Sequence, residues 1–219
     1  RSLVGSEMCI RDRYLQERCN AETFPNEEIL PSAQVLLLYF IYNGTVEITT
    51  SQVAKELGFT PTSISRASRQ LEKLGLIQTM KTGKQKIIHS DSSPKELFER
   101  TQQKLLNPVK KTVYIPKTCV TSELLESGYF ALAHYTMLNV PQIKCFAIDS
   151  ISRWKDVMTN NLFDSENQMA VEMWRYNPHL LSKEDKVDEL SLALSLRDDA
   201  DERVEAAVDE MLEKLWGKI

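Results

Sequence analysis

Between residues 49 and 90 the apolar positions first follow helical spacing and then strand-like runs. Val53, Ala54 and Leu57 form a short helical stripe, with Thr49 or Thr50 placed to cap it and Gly58 placed to end it. Thr60 is a suitable N-cap and Pro61 suits the first helical position, so a second helix is predicted from Pro61 to about Leu74, stopped by Gly75. Ile64, Ala67, Leu71 and Leu74 recur at its core-facing spacing. Leu76–Met80 and Lys86–His89 then read as two strands joined by a tip, Lys81-Thr82-Gly83-Lys84. Ahead of all this, the run SAQVLLLYFIYNG at 32–44 predicts an apolar helix.

The pattern beyond residue 90 is mixed. Ser93-Pro94 starts a predicted helix to about Leu106, with Leu97, Phe98, Thr101 and Leu105 on one face, and Asn107-Pro108 ends it. Strands are predicted at Thr112–Ile115, Ile143–Ile148 and Ala170–Tyr176, the last with Val171 and Met173 alternating against Glu172 and Trp174. Gly128 to Leu138 is apolar nearly all round and predicts a buried helix. Further helices are expected from Ser150 or Ser152 through Trp154 and Val157, over Leu190–Leu196 and over Arg203–Trp216. The expected fold class is α+β: a winged helix-turn-helix over 31–107, followed by a small α/β domain over 108–219.

Charge sharpens the first half of this picture. From Pro31 to Ser90 there are seven Lys or Arg against three Glu, a balance of +4 in a chain of net charge −4. A basic island on an acidic protein is an electrostatic footprint for nucleic acid. The polar face of the second helix supplies Thr62, Ser63, Ser65, Arg66, Arg69, Gln70 and Lys73, and the hairpin supplies Lys81, Lys84 and Lys86. Arginine can pair two donors with a guanine edge, Ser or Thr can reach a base or a phosphate, and lysines farther out meet backbone phosphate. Two recognition helices are needed for half-sites one helical turn apart, so double-stranded DNA and a homodimer are the expected partners. A module of this shape that binds protein instead of DNA is the alternative, because fold alone does not fix function.

These residues resemble a known family. Ser-Ile-Ser-Arg-Ala at 63–67 followed by Leu-Glu-Lys-Leu-Gly-Leu-Ile at 71–77, with the apolar helix at 32–44 ahead of them, is similar to the DNA-binding domain of MarR-type winged-helix regulators. The resemblance covers about sixty residues and implies a transcriptional regulator, a repressor, acting in the cytoplasm. It does not extend to the long dimerisation helices of that family. A looser resemblance links Ser127-Gly128-Tyr129-Phe130-Ala131-Leu132, Tyr135, the strand near Phe146 and Asp188–Leu194 to the C-terminal domain of AbiE-type antitoxins. It implies an autorepressor of a toxin–antitoxin operon with a toxin partner.

Other features narrow the reading. Hydrophobic content of 42% and charged content of 26% are those of an ordinary globular protein. The apolar run Val35–Tyr42 is too short to span a membrane. Cysteines at 9, 19, 119 and 145 include no CxxC pair, which favours reduced thiols over a zinc site or a disulfide framework. Residues 1–13, RSLVGSEMCIRDR, resemble a translated sequencing adaptor, and 14–30 then read as the remnant of an upstream segment. From Lys186 to Ile219 ten Asp or Glu face five Lys or Arg, either a solvated helix face or a surface for a basic partner.

No glycine-rich phosphate loop, GxSxG elbow or HExxH helix occurs, and His89, His134 and His179 lack ligand-like spacing. No enzyme activity, metal or cofactor is therefore expected. The one constellation suggesting a metal-dependent nuclease is Asp149 with Glu172 and Arg175, which reads more simply as charges on strand edges.

Overall fold

The computed structural model describes residues 28–44, 47–83 and 85–219. The segments expected to be an adaptor remnant and its neighbour, up to residue 27, lie outside the described residues, as do Cys9, Cys19 and Lys84. The architecture is mixed α+β, with seven helices and two small sheets among the described residues.

Helix α1 (Pro31–Tyr42) is the central rod of the molecule. Eight of its twelve residues are buried, as an apolar run without a polar face requires. Strand β1 (Ile48–Thr49) leads into α2 (Thr50–Glu56), whose N-cap Thr49 accepts a hydrogen bond from the Gln52 amide at 3.2 Å. Gly58 turns the chain with φ +63°, and α3 (Pro61–Lys73) follows, capped by Thr60. Gly75, at φ +66°, ends that helix region as its position predicts. Strands β2 (Gln78–Thr82) and β3 (Gln85–His89) form a tight antiparallel hairpin. β1 pairs on the other side of β3, giving the order β1-β3-β2. This short β1 was not anticipated, because two residues carry no period.

Helix α4 (Pro94–Thr101) begins with a full capping box between Ser93 and Glu96. It stops earlier than the expected Leu106. Residues after Thr101 tighten into turns, with the Lys104 amide bonded three residues back to the Thr101 carbonyl. Leu97, Phe98, Thr101 and Leu105 are nevertheless all buried, as their spacing predicts.

The second sheet has the order β4-β7-β6-β5, from β4 (Val109–Pro116), β5 (Leu125–Glu126), β6 (Cys145–Ile148) and β7 (Gln168–Trp174). β6 and β7 run parallel; the other pairs are antiparallel. Both faces are covered. Met169 and Val171 enter one apolar cluster with Val113, Ile115, Phe146 and Trp154, whereas Ala147 and Trp174 join the main core. The alternation expected for β7 is therefore not a buried-versus-exposed one. Trp174 is buried, and its indole N–H donates to Glu172 at 3.1 Å.

Helix α5 (Gly128–Tyr135) is shorter than expected and not buried all round: Tyr129 is 42% exposed and Met137, beyond the helix, 94%. The helix expected after Ser150 is only a single turn at Ser152–Trp154. Thr159 must return to the sheet edge, where its backbone exchanges hydrogen bonds with Tyr114 at 2.8 and 2.9 Å, so the intervening chain is too short for a helix. Helices α6 (Glu189–Leu196) and α7 (Glu202–Trp216) close the fold, capped by Asp188 and Asp201.

The main core runs from Ile29 through α1, α2, α3 and α4 to α6 and α7, so the boundary expected near residue 107 falls inside a shared core. Buried polar contacts reinforce the junction. The Gln34 amide brackets Leu106, accepting from its N–H at 2.6 Å and donating to its carbonyl at 2.9 Å. At the end of α1, the Tyr42 hydroxyl donates to the buried carboxylate of Asp188 at 3.0 Å and accepts from the Leu190 amide at 3.0 Å.

Candidate nucleic-acid interface

Helix α3 is amphipathic by construction. With 100° per residue, Ile64, Ala67 and Leu71 lie on one side and Thr62, Arg66, Arg69 and Lys73 on the other, in a stripe roughly 60° wide. The first three are fully buried; the four polar residues are exposed. Pro61 starts the helix without an unsatisfied amide, and Thr60 Oγ1 accepts from the Ser63 amide at 3.1 Å.

The remaining expected contacts are placed differently. Ser63 is half-buried and its hydroxyl lies 2.9 Å from that of Thr60, so it belongs to the cap. Ser65 is half-buried, and its carbonyl accepts from the Ser68 hydroxyl at 3.2 Å. Gln70 is half-buried rather than presented outward. Its amide oxygen accepts from the Leu30 N–H at 2.9 Å and its amide nitrogen donates to the Glu28 carbonyl at 3.0 Å. The reason is angular: Gln70 sits at the flank of the helix, where the chain entering α1 passes.

The opposite flank is held by the hairpin. Glu72 accepts from the Thr79 hydroxyl of β2 at 2.5 Å. Lys86 of β3 is half-buried and donates to the buried Ser68 hydroxyl at 3.4 Å. Lys86 therefore braces the hairpin against α3, in contrast to the phosphate contact expected of it. Lys81 is exposed near the hairpin end, where Gly83 turns with φ +63°. Lys84 lies outside the described residues. Thus Thr62, Arg66, Arg69 and Lys73 form the outer stripe. The hairpin borders one side and the backbone of residues 28–30 the other. Ser68 was missed because a serine among apolar positions carries no signal for a partner on a distant strand.

The candidate metal constellation does not assemble. Glu172 is committed to the Ser127 hydroxyl at 2.6 Å and the Trp174 indole, while Arg175 Nε donates to the Asn107 carbonyl at 3.1 Å. Among the described residues no group of three or more His, Cys, Asp or Glu is arranged to hold a metal ion. The histidines are dispersed: His134 Nε2 is 2.9 Å from Glu126, and His179 Nε2 is 3.0 Å from the Glu123 carbonyl. Cys119 and Cys145 are free thiols, and burial followed by the nearby Glu172 carboxylate pushes Cys145 well above its ordinary range. No helix among the described residues is long and apolar enough to cross a membrane.

Comparison with protein-family models, with curated proteins and with solved structures returned no match.

Proposed function

We propose that this chain is a sequence-specific DNA-binding transcriptional regulator, a repressor, that uses α2, α3 and the β2–β3 hairpin as a winged helix-turn-helix. The observation that carries the reading is the outward stripe of Arg66 and Arg69 on α3, exposed beside a basic hairpin. A helix with its side chains is about 10–12 Å across, which matches the B-DNA major groove. In this reading Arg66 and Arg69 meet base edges. Thr62, Lys73 and Lys81 meet the phosphate backbone and set the register. A homodimer presents two such helices to two half-sites.

Arg66→Ala and Arg69→Ala are expected to weaken binding to a selected operator by about 1–3 kcal/mol each and to relax sequence preference at distinct positions. Lys81→Ala is expected to weaken all sequences alike and to reduce the salt slope by about one. Operator selection from random duplexes, followed by gel shifts over a salt series, measures both. Unchanged affinity and preference in both arginine variants would remove α3 from the interface.

A further inference from the structure

The second sheet is finished differently at its two edges. At β5 the chain folds back over the edge: the Glu126 amide donates to the Asp185 carbonyl at 2.8 Å, and the Glu126 carbonyl accepts from the Val187 amide at 2.9 Å. At β4 the Thr159 exchange covers Tyr114, while residues 110–112 of the same edge strand are exposed. We propose that this open stretch of β4 takes up an extended acidic segment of a partner protein as an added strand. This does not rest on DNA binding by α3.

The backbone calls for a strand. Along an antiparallel pair, residues turn their N–H and C=O alternately toward the partner strand and away from it. Tyr114 turns both groups away from β7, to Thr159. Thr112 lies two residues back in unbroken register with β7, so its groups point the same way. Among the described residues neither has a hydrogen-bond partner on that side. The Thr159 segment does not extend to it. Thr159 Oγ1 donates to the Asn161 carbonyl at 2.8 Å, and the Phe163 and Asp164 amides bond the Gln168 side chain, which turns the chain back to the start of β7. An outward N–H beside an outward C=O matches another backbone, whereas a phosphate satisfies only the donor.

Charge selects which strand. Lys110 and Lys111 precede Thr112, and Arg175 is fixed beside the start of β4, its amide on the Pro108 carbonyl at 2.9 Å and its Nε on the Asn107 carbonyl at 3.1 Å. Among the described residues no carboxylate pairs with any of these three cations. Lysines on an edge deter pairing with other strands. A second copy of β4 would set lysine against lysine, and a basic segment meets the same repulsion. Carboxylates facing Lys110 and Lys111 remove that barrier, so the charges that exclude other strands admit an acidic one.

The test is fluorescence anisotropy of a labelled eight-residue peptide, Glu alternating with Val or Thr, titrated with the full chain. One comparison peptide is N-methylated on alternate amides, which keeps the charge and blocks pairing along a strand; another carries Lys for Glu. Saturable binding of one acidic peptide per chain is expected, with the methylated peptide at least tenfold weaker and the Lys peptide silent. Lys110→Gln with Lys111→Gln, both exposed, should weaken the acidic peptide at least tenfold at an unchanged thermal midpoint. Lys81→Gln, an exposed lysine of the first sheet, should leave it unchanged. Absence of saturable binding, equal binding of the methylated peptide, or full affinity in the double variant overturns the proposal. So does a loss of random-duplex DNA binding in the double variant as large as its loss of peptide binding, which would make this edge a nucleic-acid contact.

Discussion

At the scale of single residues, the most consequential group outside the α3 face is Asp188. It is 4% exposed, caps α6 through the Ser191 amide at 2.9 Å, and accepts from Tyr42. Its second oxygen is buried with no hydrogen-bond partner. Burial pushes its carboxyl up from 3.8 to about 6, against the lowering effect of the Ser191 and Tyr42 hydrogen bonds. The folded state therefore holds this proton more tightly than the unfolded chain. The stabilisation is complete below the unfolded value and is lost as pH rises through about 6. A shift of that size corresponds to about 3 kcal/mol. Asp188→Asn keeps a capping oxygen and removes the titration. Urea unfolding of both proteins from pH 4 to pH 7 should show the original chain losing about 2 kcal/mol relative to the variant, because pH 4 already lies above the unfolded value. Carboxylates common to both, such as Asp164, held low chiefly by Asn167, shift stability the opposite way and cancel in that difference. Parallel curves would show that Asp188 titrates as an ordinary surface acid.

At the scale of elements, α3 is positioned from both flanks, and this separates residues that sequence alone grouped together. Gln70 secures the chain at Glu28 and Leu30, so its loss removes two hydrogen bonds made at the surface. Gln70→Ala is expected to lower stability by about 1 kcal/mol, yet to alter sequence preference far less than Arg66→Ala. Chemical unfolding together with operator competition checks both halves; a preference change larger than that of Arg66→Ala would return Gln70 to the base-reading set. The helices α2, α3 and α7 were legible in the sequence because their signals are local: caps at Thr49 and Thr60, apolar spacing, and glycines at 58 and 75 with positive φ. The roles of Gln70 and Lys86 were not, since each is set by a segment distant in sequence. The same reason hid the parallel pairing of β6 with β7 and the edge bridge at Thr159, which converts an expected helix into a turn.

At the scale of the whole molecule, α1 decides how the two halves behave. Its apolar character was plain in the sequence, but which elements cover it was not, because an all-round apolar helix has no directional pattern. The structure packs α3 and α4 against it and ties it to the second half through Gln34, next to Leu106 and Tyr176, and through Tyr42, next to Asp188 and Leu190. Gln34, fully buried in that helix, is the polar residue that pins Leu106 and lies 3.4 Å from the Tyr176 hydroxyl. Gln34→Ala leaves the amide and carbonyl of half-buried Leu106 without that partner, at about 1 kcal/mol for each hydrogen bond lost. A core shared in this way should also unfold as one unit. Limited proteolysis of the full chain is expected to release no persistent fragment ending near residue 107, and Gln34→Ala should lower tryptophan fluorescence and far-UV circular dichroism midpoints together. Separate midpoints, or a protease-resistant fragment of residues 28–107, would instead mean that the N-terminal elements form a stable core without α6 and α7.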